Sequence, residues 1–396
     1  MSEIGAVLEV MDPGLATSVQ DLGRPGRLRI GVPQGGALDR TALRLATAIT
    51  GGAAAKAAAL SAAPPGPAAL EIRYLGPRLR VVEGALTAAL AGADALLHVD
   101  RAETALGRQG DSAEATPLTG LRVHPGDVLR VGALRGSATA ILALGGGVLT
   151  PLTLGARATF ARGGFGGVEG RLLQAGDRLE IAVGASSAQR IAAGAGPPRA
   201  MPDAKGVWTL RLVDGPQAAL FDASERARLC ATVWAVTRQA DRMGLRLEPA
   251  ADGAPPAPLS PLDPTDVDIV SDGAPEGAVQ IPGDGRPILL LADRGATGGY
   301  PKPAVVASVD IPLLARLQPG DRLRFHHVSL DAARAALFAA ERALRGALGH
   351  IEPAGEPGVI DVEKLWSANL ITAHAAADTD LHREDADQKP PETSEG

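Results

Sequence analysis

The sequence predicts a mainly β chain with a few short helices, and three observations carry that reading. The first is composition: 49 glycines and 31 prolines among 396 residues. In a helix interior each glycine costs about 1 kcal/mol and each proline about 3 kcal/mol, so long helices are scarce in such a chain. The second is a short signature that occurs three times, HPGDVLRV at 124–131, QAGDRLEI at 174–181 and QPGDRLRF at 318–325. In each, Gly-Asp supplies a turn and the alternation after it supplies a strand with one buried face. The third is the scarcity of aromatics, 3% against 45% hydrophobic residues, which leaves Leu, Val, Ile and Ala to fill the cores. The recurrence is too irregular for a solenoid and fits β-barrel-like domains that reuse one hairpin.

Further strands are expected at 4–11, 70–75, 78–83, 138–144, 207–213, 267–271 and 287–292 from their alternation or their short apolar runs. Asp39 is placed to cap a helix through Thr50, with Gly51-Gly52 as its stop. A second helix is expected near Gln217–Val233. The clearest follows Ser329, where Leu330, Ala333, Leu337, Glu341 and Leu344 recur at three- and four-residue spacing and Gly346 marks the end. The length suits two domains. Residues 1–190 and 206–350 read as β domains joined by a small, polar, Pro-containing linker at 191–205. Residues 249–264 read as a long Pro-rich loop. The extension 351–396 holds a segment at 355–371 that could form a short strand or helix, then a tail expected to be disordered.

The net charge of −6 is unevenly placed: from 375 to 396, seven acids stand against Arg383 and Lys389. No basic stripe with interleaved aromatics occurs, which argues against a nucleic-acid partner. Cys230 is the single cysteine, so no internal disulfide is possible and a reducing compartment is expected. The start of the sequence lacks a cationic segment followed by an apolar one, and no apolar run of membrane-spanning length occurs. These features point to a cytoplasmic protein without a membrane partner.

Several catalytic devices are absent. There is no P-loop signature and no H-E-x-x-H or paired cysteines, so no metal site is expected. His326 and His327 alternate on a strand and point to opposite faces. No G-x-S-x-G elbow occurs. No lysine follows a methionine, so this chain carries no biotin of its own.

Four polar, glycine-rich clusters remain. The first, 17–40, sets Gln20, Asp21, Arg24, Gln34 and Asp39 among glycines that allow close backbone approach. It suits an anion-facing loop and equally a tight turn with a local Asp21–Arg24 pair. The second, 154–177, flanks Gly163, Gly164, Gly166 and Gly167 with Arg157, Arg162 and Arg171, as an anion cradle or a ligand-free loop would. The third is ADRMGLRLEP at 240–249. The fourth, LADRGATGGYPKPAVV at 291–306, follows an apolar strand, where rigid scaffolds display function.

In this order the clusters resemble a family that includes the C component of 5-oxoprolinase, KipA and the second carboxyltransferase segment of urea amidolyase. The resemblance rests on Gln20-Asp21, Gly23-Arg24, Gly26, Asp39, Gly155, Arg157, Gly166-Gly167, Gly170-Arg171, Gly176-Asp177, Asp241-Arg242-Met243-Gly244, Arg246-Leu247, Gln280, Asp293-Arg294, Thr297-Gly298-Gly299-Tyr300-Pro301 and Pro319-Gly320-Asp321. It runs from about residue 7 to residue 330. The resemblance implies two cyclophilin-like β-barrel domains. It also implies a KipI-like B component and an A component of 5-oxoprolinase as partners. The complex would use ATP, with or without Mg2+, to activate a lactam for hydrolysis to glutamate. The resemblance makes Asp21, Arg24, Arg242 and Asp293 candidates for catalysis. Gln20, Gln34, Arg157, Arg171, Arg246, Gln280, Thr297, Tyr300 and Lys302 become candidates for substrate binding. Gly163, Gly164, Gly166, Gly167, Gly298 and Gly299 become candidates for anion binding. A carboxyltransferase acting on urea or a related amide with carboxybiotin, and a KipA-like regulatory module without turnover, are the alternatives. The sequence departs from the family pattern at Thr47, at Ala156-Arg157-Ala158-Thr159 and at Gly295.

Overall fold

Residues 4–182 build two facing sheets from short alternating segments. One sheet has seven strands, with Ile4–Asp12 between Arg178–Ala182 and Arg78–Gly84. The other has five, in the spatial order Ala16–Gln20, Ala69–Arg73, Thr139–Leu144, Leu86–Ala91 and Gly120–Val123. The computed structural model describes residues 3–102, 112–250 and 256–354. The expected 355–371 element, the acidic tail and part of the 249–264 loop lie outside the described residues.

The five-stranded sheet shows how alternation is read on both faces. Leu70, Ile72, Ala88, Leu90, Leu142 and Leu144 enter the core shared with the seven-stranded sheet. Their neighbours Ala69, Ala91 and Ala143 face helix α1 (Arg40–Thr50) with Ile141, and pack against Ala42, Leu43 and Ala46. Alanine there lets the helix lie close. Asp39 caps α1 by accepting the Ala42 N–H at 2.8 Å. Gly51 ends α1 as expected, its N–H donating to the Thr47 carbonyl. A second helix, α2 (Gly52–Ser61), follows at once, built on a run of alanines, the residue type of highest helix propensity.

The second half closes into a seven-stranded barrel: Val207–Asp214, Ala304–Val306, Ala278–Gln280, Ile288–Leu290, Gly244–Pro249, Trp234–Ala240 and Arg322–His327, the last returning to the first in parallel. Leu210, Leu212, Trp234, Val236, Leu245, Leu247, Val279, Leu289, Leu323 and Phe325 fill it, and Leu38 of the first half joins them.

The three repeated signatures share one geometry. Asp127, Asp177 and Asp321 accept the N–H of His124, Gln174 and Gln318 at 3.0, 2.8 and 2.8 Å. The glycine before each aspartate has φ near +90° and donates its N–H at 2.8 Å to the carbonyl of Val81, Val10 or Val236. Each signature is thus a turn closed by the carboxylate of its own aspartate and docked on a neighbouring strand, leading into a strand of its own.

Other expectations are corrected. The helix near 217–233 is a 3-10 turn (Ala218–Leu220) followed by α3 (Ala223–Ala231), because Asp222 starts a new helix by accepting the Glu225 N–H at 2.8 Å. Residues 267–271 form no strand. A turn at Pro264–Val267, capped by Asp263, leads into a loop in which Ile269 is half-buried and Val270 is 93% exposed. A four-residue helix, α4 (Ile311–Leu314), precedes the last barrel strand. The final helix, α5 (Leu330–Gly349), is capped by Ser329 as expected but runs through Gly346, where an added side chain would meet nothing within 4 Å. Glu341 of α5 holds Arg44 of α1 through two hydrogen bonds of 2.7 and 2.8 Å.

Candidate active site

A cleft of about 960 Å³ runs along the outer face of the barrel. Leu245, Leu247, Val279 and Leu289 point into the barrel, so the alternating residues Gly244, Arg246, Ile288, Leu290 and Gln280 face outward and line the cleft. Gly31, Pro33, Phe160 and Arg162 of the first half contribute to the lining, as do Asp293, Arg294 and the Thr297–Tyr300 segment.

Register arranges these groups. Arg246 lies opposite Ile288, and Ile288 opposite Gln280. With neighbouring strands ~4.8 Å apart, Arg246 and Gln280 stand about 10 Å apart at the backbone, with Ile288 between them. On the other side of Arg246, Val236 pairs with Leu247 and Ala240 with Leu245. Thr237, Arg238 and Gln239 therefore span the place opposite Arg246 alone. Arg238 is thus the middle one of three residues that share the place opposite Arg246, and both arginines line the cleft. The row runs from two guanidinium groups, over an apolar middle, to an amide.

Beneath the row, Arg242 joins the two halves of the molecule. Its Nε and Nη2 donate to Asp293 Oδ2 and Oδ1 at 2.8 and 3.0 Å. Nη1 pairs with the buried Glu71 Oε1, and Nη2 also reaches the Gly36 carbonyl at 2.7 Å. Burial works to lower the Arg242 pKa, but the Asp293 and Glu71 carboxylates together hold it above its ordinary value. Glu71 in turn accepts the Leu38 N–H at 2.7 Å. Asp241 accepts the N–H groups of Met243 and Gly244 at 2.7 and 3.2 Å and so shapes the turn before Arg246. Arg162 reaches Met243 Sδ at 3.0 Å from the opposite side. Arg294 is bound to the carbonyls of Ala274 and Leu291, and burial pulls its pKa down against the pull of Glu276. At Gly298 a Cβ would stand 2.4 Å from Gln280 Nε2, so glycine there leaves Gln280 its place.

The same stretch of chain is matched by the family model described as carboxyltransferase domain, subdomain A and B, over residues 30–327. The chain belongs to this carboxyltransferase family. It is 32% identical to the C subunit of 5-oxoprolinase from Escherichia coli over 83% of this chain and 93% of that protein. It is 29% identical to urea amidolyase of Lachancea kluyveri over 82% of this chain and 17% of that protein. Among solved structures, TTHA0988 aligns with a TM-score of 0.64 at 30% identity, covering 82% of this chain and 57% of that one. Kluyveromyces lactis urea amidolyase aligns with a TM-score of 0.70 at 26% identity, over 91% of this chain and 21% of that one. The chain thus spans just over half of one solved relative and about a fifth of the other.

In this family member the cleft gathers Arg246, Gln280, Asp293, Thr297, Gly298, Gly299 and Tyr300 from the residues singled out in the sequence. The others lie elsewhere. Asp21 is buried, accepting the N–H groups of Gly23 and Arg157 at 2.7 and 2.6 Å; burial raises its pKa against those bonds. Arg24 is buried over the Phe165 ring and donates to the carbonyls of Thr153 and Ala158. Burial lowers its pKa, opposed by Asp21 and Asp293. The Asp21–Arg24 turn is therefore a buried brace between the first two clusters. Gln20 donates to Ser18 and Thr159, and Gln34 to the Leu22 carbonyl. Arg157 joins the brace through its backbone. Arg171 is paired with Asp177 and Glu169. Gly163 makes room for the edge-on Phe160–Phe165 pair, Gly164 closes a 3-10 turn, and Gly166 and Gly167 press against Ala158 and Thr159. Lys302 is fully enclosed, with Nζ 3.3 Å from the Tyr300 carbonyl, and burial lowers its pKa against the attraction of Asp272.

Three contributors escaped the sequence reading. Arg238 depends on a strand irregularity that has no sequence signature. Phe160 reaches the cleft from the first half. Glu71 did carry a signal, being an acid inside the otherwise buried strand Ala69–Arg73. Among the described residues no group of three or more His, Cys, Asp or Glu is placed to hold a metal ion, and no helix is long and apolar enough to cross a membrane.

Proposed function

We propose that this chain serves as the C component of an ATP-dependent 5-oxoprolinase. It joins a KipI-like B component in lactam activation before an A component completes hydrolysis to glutamate. Two relatives named as the C subunit of 5-oxoprolinase are matched over 93% of their own length, which favours this role over one drawn from the much longer urea amidolyases. The observation that carries the chemistry is the outward row Arg246–Ile288–Gln280.

A lactam carbonyl is a poor electrophile, and phosphorylating its oxygen creates a leaving group. The site for such a step needs an amide-matching group, an apolar rest for the ring, and cations where negative charge grows. Gln280 both donates and accepts and so suits the lactam N–H and C=O, with the Thr297 hydroxyl beside it in the same lining. Ile288 offers a surface to the ring methylenes. Arg162, facing from the first half, suits the substrate carboxylate. Asp293 is committed to Arg242 and acts here as a positioning residue that fixes the Arg294–Tyr300 loop.

A second reading, a carboxyltransferase part acting on urea or a related amide, is favoured by the alignment of urea amidolyase over 91% of this chain. The test is ADP release and glutamate formation by the chain co-purified with its B and A partners. Release that requires 5-oxoproline supports the first reading; release that requires urea and a biotinylated protein instead overturns it.

A further inference from the structure

At one end of the cleft stand two cations, Arg238 and Arg246, to which the lactam reading assigns no group of the substrate. Arg238 and Arg246 are both exposed to the cleft, and neither has a hydrogen bond or ion pair among the described residues. The register puts Arg238 within the three residues that stand opposite Arg246, and both arginines line the same cleft. Elsewhere this chain pairs its arginines freely: Arg44 with Glu341, Arg171 with Asp177 and Arg242 with Asp293. Two adjacent guanidinium groups repel each other by the same physics that favours an opposite pair. Among the lining residues, Asp293 is taken up by Arg242, and Asp241 is turned to the backbone N–H groups of its own loop.

We infer that Arg238 and Arg246 form a phosphoryl-binding subsite at the cationic end of the cleft. A single carboxylate carries one charge and two oxygens, which one guanidinium fork already satisfies. Two forks side by side match a group with more charge and at least three oxygens, as a phosphate ester or phosphoanhydride has. The position adds a second argument. Arg246 lies about 10 Å along the row from Gln280 and Arg238 one strand further, so a phosphoryl group bound there leaves Ile288 and the amide end free for a second, neutral moiety. Arg238 comes from the strand irregularity, so the subsite needs both the register of Gly244–Pro249 and the extra residues opposite it. The subsite deepens the 5-oxoprolinase reading and rests on it for why a phosphoryl group enters the cleft.

The test is calorimetric titration of the full chain with tripolyphosphate and, in parallel, with ATP. Both are expected to bind, and Arg238→Ala and Arg246→Ala are each expected to weaken binding about tenfold or more, as loss of charge-assisted hydrogen bonds does. Arg238→Lys should recover part of the loss through charge alone, and Arg334→Ala on α5 should leave binding unchanged. Tighter binding of ATP than of tripolyphosphate would assign the phosphoryl group to a nucleotide; equal binding would assign it to a phosphorylated substrate. Both sustain the subsite. Wild-type affinity in both alanine variants, or equal weakening by Arg334→Ala, would overturn it. Phosphate binding without amide-dependent turnover would retire the 5-oxoprolinase reading and leave the subsite standing.

Discussion

Arg242 grips Asp293 through two nitrogens, Nε at 2.8 Å and Nη2 at 3.0 Å, and with its remaining nitrogen reaches Glu71 in the first half of the chain. The Asp-Arg dipeptides of the third and fourth clusters are thus two parts of one buried device. Its task is to fix the first half against the barrel where the cleft opens between them.

Removal of Arg242 should therefore be felt first as lost stability. Arg242→Ala leaves Glu71 and Asp293 buried without a cation, a change that costs about 3–5 kcal/mol. Arg242→Lys should recover only part, because an ammonium group cannot bridge two carboxylates and the Gly36 carbonyl as the planar fork does. Urea denaturation followed by tryptophan fluorescence checks both; a loss below about 1 kcal/mol in the alanine variant would contradict this role.

Two glycines separate packing from function. Gly167 has φ +54°, and a Cβ there would stand 1.9 Å from Thr159 Oγ1. Gly167→Ala should cost about 2 kcal/mol or more through backbone strain and overpacking. Gly298 has no positive φ, and its Cβ would meet only the far end of the Gln280 side chain. Gly298→Ala should keep stability within about 1 kcal/mol of wild type yet lower substrate use by the complex. Paired melting curves and turnover assays distinguish the two.

Asp39 sets a pH dependence of definite sign. Burial raises its pKa to about 6, against the Ala42 N–H and Arg316, which lower it. Between about pH 4 and pH 6 the folded chain binds more protons at this position than the unfolded chain, so the Asp39 contribution to stability falls as pH rises through that window. Asp39→Asn keeps an acceptor for the helix cap and removes the titration. Urea midpoints at about pH 4.5 and pH 7 should show the variant gaining on wild type at the higher pH; an unchanged difference would contradict the assignment.

The fold was largely legible because its signals are local. The Gly-Asp turns fix φ and close on their own backbone, so HPGDVLRV, QAGDRLEI and QPGDRLRF each announce a turn and a strand. Asp39 and Ser329 announce their helices in the same way. Gly51-Gly52 ends α1 as its sequence indicates, but the alanines after it start a second helix that the sequence reading did not expect. Val267, Ile269 and Val270 read as a strand, but a proline-led turn at Pro264–Val267 breaks that run.

The candidate site was legible in part. Arg246, Gln280 and the Thr297–Tyr300 segment lie close to strand ends or on outward strand positions, where alternation places them. Asp21, Arg24 and Arg171 carry the same polar chemistry, but tertiary packing buries or pairs them, and spacing alone does not reveal those partners. Arg238 was hidden for the opposite reason: its place beside Arg246 exists only once two strands pair out of step.

The central claim is that the Gln280 end of the cleft receives the amide. The most direct measurement is 5-oxoproline-dependent ADP release by the complex reconstituted with wild-type or Gln280→Ala chain, with assembly checked by gel filtration. The expected result is release that depends on 5-oxoproline in wild type and a kcat/KM lowered about tenfold or more in the intact variant complex, the loss expected when an amide-matching group is removed. Equal kcat/KM in the two complexes would contradict the claim.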